Sequence, residues 1–447
     1  MRELTKSVFS FSWAMSLFGA QQMFNLFRPS KAAQSFEQVT SATEEELARS
    51  LQGIFRMGDD VQRRMVDVLF GVLRTDARQS DNHVPVPQGT VYQNSQPDQT
   101  PPYNSTQRSP QSTASGWSAM PLKSSDPQQS AGVQRAEPAR AGPPEISHEA
   151  GISSEYPFES RYVEVFGSRM HFIEEGTGEP IVFIHGNPTW SYLWRNVLPH
   201  LIPFGRCIAL DLIGYGRSDK PRIEYKWTEQ ARYVEEFFRK MGLNDAVLVL
   251  HDWGVSLGLN YAMRHESRVK AIAFMEGIFR TFPQWDDFST PEFRELFKRF
   301  REGGEGGEGW QLLVEQNFFI EHLLSGGVGR QLSGKEMDYY REPFTSTSNR
   351  IPIWSLARSV PVAGKPKEVW DAIHGITESL KQSRLPKLLL YATPGGIVTG
   401  DSVDWCRQNL KNLKSVDVGP GLHYIQETTP HLIGRAVADW YNSVLNY

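Results

Sequence analysis

The sequence predicts an α/β protein built on a mostly parallel sheet, and three observations carry that reading. First, six apolar runs alternate with helical patterns from about residue 155 to the C-terminus: IVFIHG (181–186), CIALDL (207–212), AVLVLHD (246–252), VKAIAFME (269–276), PKLLLYAT (386–393) and LKSVDVG (413–419). Runs this apolar suit strands buried on both faces, as parallel strands are. Second, AVLVLHDWGVSLGLNYAMRH (246–265) reads as a strand entering a tight turn and then a helix. Third, the alternation breaks between Arg280 and about Arg384, where aromatic-rich helical patterns form an insertion. An insertion there would lie over the carboxyl ends of the strands as a lid, where such sheets bind ligands.

The rest of the chain divides in order. At 447 residues it is long enough for about three units of ~150 residues. Residues 1–75 are expected to form a helical region. Residues 7–27 carry no charge and are long enough to span a membrane, but Ser7, Ser10, Gln21, Gln22 and Asn25 gather opposite the stripe Phe9, Trp13, Leu17, Ala20, Phe24 and Phe27. That pattern describes an amphipathic helix on a membrane surface or against a partner better than a span. A signal peptide is a weaker reading, because serines interrupt the apolar run. Thr43 and Glu46 then form a capping-box signature, and Leu47, Leu51, Ile54, Val61, Met65, Val68 and Val72 form a short heptad-like seam. Self-association or membrane attachment through residues 7–73 follows as an expectation, beside simple packing of the two helices on each other. Residues 76–150 are rich in Pro, Gln and Ser with almost no Leu, Ile or Phe, which predicts a disordered linker. The sequon at Asn104 is expected to be a chance match. Residues 151–447 are then the catalytic domain, with its lid at about 280–384.

Composition excludes several classes. Lys+Arg 47 against Asp+Glu 51 gives a net charge of −4, which does not suit a nucleic-acid binder. Cys207 and Cys406 are the only cysteines, too few for a disulfide framework or a structural zinc site. A reducing, cytoplasmic setting is expected.

The candidate chemistry lies at the turns. The strand–turn–helix at HDWG is a nucleophile elbow that presents Asp252 where esterases carry Ser. A carboxylate can attack a saturated carbon and leave an ester. A helix N-cap is the plainer alternative for Asp252, and Leu250 departs from the small residue often found two places before the nucleophile. His185-Gly186-Asn187-Pro188 ends an earlier strand, and its turn would expose backbone N–H groups to an anion. His423, in GPGLHYIQE, comes late, matching the order nucleophile, acid, histidine of the α/β-hydrolase fold. The turn after PKLLLYAT reads Thr393-Pro394-Gly395-Gly396, without a carboxylate, so the acid is Glu276 at the end of VKAIAFME or, less favoured, Asp401.

Together HGNPTWSYLWRNVLPHL, DLIGYGRSDKP, HDWG, AFMEG and GPGLHYIQE, with NFFIEHLL and MDYYREPF in the insertion, resemble the haloalkane dehalogenases of the α/β-hydrolase superfamily over about residues 156–447. The resemblance implies an α/β-hydrolase fold with a helical lid and hydrolysis of a halogenated hydrocarbon by water to alcohol and halide. It implies Asp252 as nucleophile, His423 as base and Glu276 as assisting acid, with Asn187 and Trp253 holding the halide. No metal or cofactor is implied. The acidic, glycine-rich stretch 301–309 is unusual for the lid and leaves the substrate range open. Alternatives are an epoxide hydrolase, with Tyr339 and Tyr340 as candidate acids, a coelenterazine-type luciferase, and a non-catalytic scaffold whose N-terminal helices bind a membrane or partner.

Overall fold

The computed structural model describes residues 151–289 and 291–445. The expectations for the two N-terminal helices and the linker lie outside these residues. Within them the chain forms an eight-stranded sheet: β1 (Arg161–Val165), β2 (Ser168–Glu175), β3 (Pro180–Ile184), β4 (Arg206–Leu210), β5 (Ala246–Asp252), β6 (Val269–Gly277), β7 (Lys387–Pro394) and β8 (Leu413–Gly421). The spatial order is β1-β2-β4-β3-β5-β6-β7-β8. Pairing is parallel from β4 through β8, while β1 pairs antiparallel with β2 and β2 with β4.

The six apolar runs supply the six parallel strands. All seven residues of β5 are buried, so the sheet is covered on both faces. The edge hairpin β1–β2 was not anticipated. Its turn is Phe166-Gly167, both at positive φ (51° and 76°), the geometry a two-residue hairpin requires. Gly167 is the usual occupant of such a position. Phe166 is not, and its ring is held against Tyr233 at 5.2 Å.

The connections set the site. After β4 the chain forms helix α1 (Trp227–Lys240), whose Trp227, Ala231, Val234 and Phe238 make a buried stripe at helical spacing. It then returns to β5 on the other side of β3. Strand order therefore reverses at β3, and the crevice at the ends of β3 and β5 is the ligand position of this architecture. Helix α2 (Trp253–Arg264) leaves β5 directly and is buried along most of its length. Leu250 is accommodated opposite Gly258 of α2, where a Cβ would come within 2.4 Å of its Cδ2. The glycine on the helix replaces the small residue usual on the strand.

Residues 278–386 carry α3 (Pro291–Arg301), two π-helical segments (Gln311–Glu315 and Phe319–Leu324), α4 (Gly334–Arg341), α5 (Thr347–Ala357) and α6 (Lys367–Gln382). Helix α6 packs on α2 as a crossover helix, so the part of the insertion available to cover the site ends before it. Helix α7 (Gly400–Asn409) and the closing α8 (Pro430–Leu445) contact β7 and β8. A buried ion cluster fastens the insertion to the loop after β8. Arg195 bonds Glu427 and, at 2.9 Å, Glu336 of α4, and Arg330 reaches Glu427 at 2.7 Å. Removing either partner of a buried pair strands the other charge, so such a cluster resists opening.

Two glycines in helices should respond oppositely to alanine. A Cβ on Gly254 would stand 2.2 Å from the Ile184 carbonyl oxygen and 2.5 Å from that of His185. Those are backbone atoms that cannot move aside, so Gly254→Ala should cost about 3 kcal/mol. Gly375 of α6 is exposed with nothing within 4 Å, and Gly375→Ala should stabilise by up to ~1 kcal/mol. Denaturant midpoints of the two variants measure the difference in sign.

Candidate active site

Asp252 closes β5 at φ 52°, ψ −125°, a backbone region that L-residues enter only under constraint. Although it occupies the position before α2, its side chain makes no capping bond, so the N-cap alternative fails. Instead Oδ1 accepts the backbone N–H of Asn187 at 2.6 Å. This approach requires Gly186, because a Cβ there would lie 2.1 Å from Oδ1. The turn expected to present N–H groups to an anion thus presents one to the carboxylate of the elbow itself. Burial disfavours charge on Asp252, but the hydrogen bond and charge of His423, with the Trp253 backbone N–H, outweigh it and hold its carboxyl below the ordinary aspartate range.

Glu276 reaches the same cluster through a bulge. His251 pairs with Met275, whereas Asp252 pairs with Gly277, which leaves Glu276 as the extra residue at φ 42°. Bulges re-aim side chains at the edges of sites. The fully buried carboxylate accepts through Oε2 from the backbone N–H groups of Gly396 (3.0 Å), Ile397 (2.8 Å) and Val398 (3.4 Å), and from His423 Nδ1 at 3.4 Å. These amides belong to the turn after β7 in which no acid is encoded. A Cβ on Gly396 would come within 2.8 Å of His423 Cβ, and one on Gly395 within 3.0 Å of Glu276 Oε1. The glycine pair admits a carboxylate from the neighbouring strand. Asp401, the alternative acid, lies exposed in the first turn of α7 and makes no bond to His423.

His423 stands between the two carboxylates, with Nε2 3.4 Å from Asp252 Oδ2 and Nδ1 3.4 Å from Glu276 Oε2. Burial opposes its protonation, yet the bonds to Asp252 and Glu276 prevail and push its pKa up to about 9. Beside them Asn187 donates Nδ2–H to the Ile353 carbonyl at 3.0 Å, while the Tyr215 hydroxyl, which donates to the Pro352 carbonyl at 2.8 Å, stands 3.3 Å from Asn187 Oδ1. These contacts fix the amide orientation and leave its second N–H. The indole Nε1–H of Trp253 meets no acceptor among the described residues. Asn187, Asp252, Trp253 and His423 share the wall of one partly enclosed cavity. Its remaining wall is largely apolar and includes Ile278, Phe288, Phe297, Phe319 and Leu323 of the insertion.

All five expected residues are therefore brought together. Sequence reasoning missed the anchors Tyr215 and Ile353, the amide cradle at 396–398 and the phenylalanine wall. Tyr215 lies inside the DLIGYG motif, the one signal available for it. Among the described residues no cluster of His, Cys, Asp or Glu is placed to hold a metal ion.

A family model described as the alpha/beta hydrolase fold matches residues 179–430. A haloalkane dehalogenase of Mesorhizobium japonicum is 40% identical over 309 residues, 69% of this chain and 96% of its own length. One from Sphingobium indicum is 43% identical over 290 residues, 63% of this chain and 95% of its own. Among solved structures, a putative ancestral haloalkane dehalogenase superposes with a TM-score of 0.62 at 41% identity, covering 64% of this chain and 100% of that one. The enzyme DbeA of Bradyrhizobium elkani gives 0.62 at 39% identity, covering 64% and 98%.

Glu276→Gln removes one of the two charges that favour the imidazolium. The His423 pKa should fall from about 9 toward the ordinary histidine range, as followed by NMR titration of its ring protons. An unchanged value would separate Glu276 from His423.

Proposed function

The chain belongs to the haloalkane dehalogenases of the α/β-hydrolase fold, and on that premise we propose how its own residues divide the reaction. The enzyme hydrolyses haloalkanes to alcohol and halide. The observation that carries the assignment of roles is the Asp252–His423–Glu276 chain on the wall of an apolar cavity beside Asn187 and Trp253.

In the first step Oδ2 of Asp252 attacks the carbon and the halide leaves with the bonding electrons. No base is needed, since the carboxyl titrates below the ordinary range. The remaining amide N–H of Asn187 and the indole N–H of Trp253 take up the developing negative charge, and a dry cavity makes such donors strong. The product is a neutral alkyl ester. One of the two carboxylates that held His423 protonated is then neutral, so its pKa falls and the ring loses its proton to solvent. Neutral Nε2 can now accept a proton from water as the water oxygen adds to Cγ of Asp252. Negative charge developing on Oδ1 faces the Asn187 backbone N–H already at 2.6 Å. Glu276 stabilises the imidazolium, which returns its proton as the alcohol departs. The substrates are a small halogenated hydrocarbon and water, and the steps require no metal or cofactor.

The epoxide hydrolase reading needs a tyrosine acid at the cavity. Tyr340 instead donates to Glu427, and Tyr339 stacks on Tyr192 at 4.5 Å. Neither lines the cavity, and the tyrosine that does, Tyr424, has its hydroxyl turned to the Asn187 carbonyl at 3.3 Å. For the N-terminal region we keep the proposal that the Phe9–Phe27 stripe and the seam from Leu47 to Val72 attach a cytoplasmic enzyme to a membrane surface or to a second copy. Among the described residues no helix is long and apolar enough to cross a membrane.

Asn187→Ala and Trp253→Phe should each lower halide release from bromoalkanes by roughly 10²-fold without unfolding the protein, and near-parental rates in both would remove them from the halide site. His423→Phe should release about one halide per enzyme molecule and then stop. Continued turnover would contradict its role. A chain beginning near Ser147 should keep full activity and lose binding to anionic vesicles relative to the complete chain. Equal vesicle binding by both would refute a role for residues 7–73.

A further inference from the structure

We propose that His251, the residue before the nucleophile, is a positioning residue for ester hydrolysis: it pins the main chain of His423 to the strand that carries Asp252. The proposal rests on the dehalogenase reading above. His423 lies 3.4 Å from each carboxylate, too far for side-chain bonds alone to fix the ring firmly. A shorter bond acts on its backbone. His251 Nε2 lies 2.9 Å from the His423 carbonyl oxygen. A carbonyl can only accept, so Nε2 carries the hydrogen and Nδ1 the lone pair. The two rings pack 4.8 Å apart, tilted by 38°.

The arrangement is costly as plain core. His251 is fully buried and its Nδ1 has no partner among the described residues, a penalty that leucine or phenylalanine would avoid. Burial first, with the neighbouring His423, lowers its pKa to about 3. It therefore stays a neutral donor beside an imidazole that must gain and lose a proton, and it does not compete for the charge of Asp252. Attack by Asp252 does not use the His423 carbonyl. Water activation does, because a shift of the loop moves Nε2 relative to Cγ of the ester. Loss of the bond should therefore act on the second step alone.

The test uses the complete chain, bromoethane as probe, and single-turnover measurement of halide release and of the Asp252 ester by mass spectrometry. In His251→Leu the halide burst should stay within about twofold of the parent while ester decay slows roughly tenfold, the effect of one lost neutral hydrogen bond. His251→Gln, whose amide can donate to the same carbonyl, should restore most of the decay rate. Equal slowing of both steps, as general loosening would produce, overturns the proposal, and so does parental ester decay in His251→Leu. Should the leucine variant not fold, His251→Asn replaces it, with an amide too short to reach. Asparagine should then decay slowly and glutamine fast, and equal rates overturn the proposal. Failure of the parent chain to form any ester would instead overturn the dehalogenase reading itself.

Discussion

An imidazole held 3.4 Å from each of two buried carboxylates sets the terms for much of this structure. Two negative groups close together in a dry site repel each other, and each resists losing its water. The His423 ring between them makes their coexistence tolerable. The backbone bears the cost of this geometry. Asp252 and Glu276 are both held at positive φ, one at the elbow and one in a bulge. Gly186 makes way for the first carboxylate and the pair Gly395-Gly396 for the second. Each glycine is required by an atom of the site rather than by flexibility.

The same electrostatic arrangement explains how one histidine can serve both halves of the reaction. While Asp252 is charged, the ring is held protonated with a pKa near 9. Esterification cancels one of the two charges and lowers that value when a base is wanted. Glu276, whose Oε2 accepts three backbone N–H groups, keeps its position throughout. The cavity beside the triad is largely apolar, and phenylalanine side chains of the insertion form much of its wall, where they would face an entering alkyl chain. Catalysis and substrate selection are therefore built from different parts of the chain.

That division decides what could be read from sequence. The six parallel strands were legible because burial on both faces leaves unbroken apolar runs. The hairpin β1–β2 was not, since its strands are partly exposed and its turn, Phe166-Gly167, lacks the usual Asn-Gly signal. Asp252, Asn187, Trp253 and His423 sit in compact motifs at strand ends, where a turn dictates the local geometry. The choice between Glu276 and Asp401 depended on a bulge and on amides from a third strand's turn, which no local pattern encodes. The phenylalanine wall draws Phe288, Phe297 and Phe319 from separate segments. His251 was legible only as part of HDWG, and its bond to the loop after β8 spans a sequence separation of 172.

The central claim is that Asp252 is bonded to the substrate carbon before water acts. A single turnover in ¹⁸O-enriched water, with enzyme in excess over a bromoalkane, tests it most directly. The alcohol should be unlabelled, because its oxygen was Oδ2 of Asp252, and the ¹⁸O should be found in the Asp252 carboxylate of the HDWG peptide. An ¹⁸O-labelled alcohol from an unlabelled enzyme would mean that water displaces the halide directly, and would contradict the account.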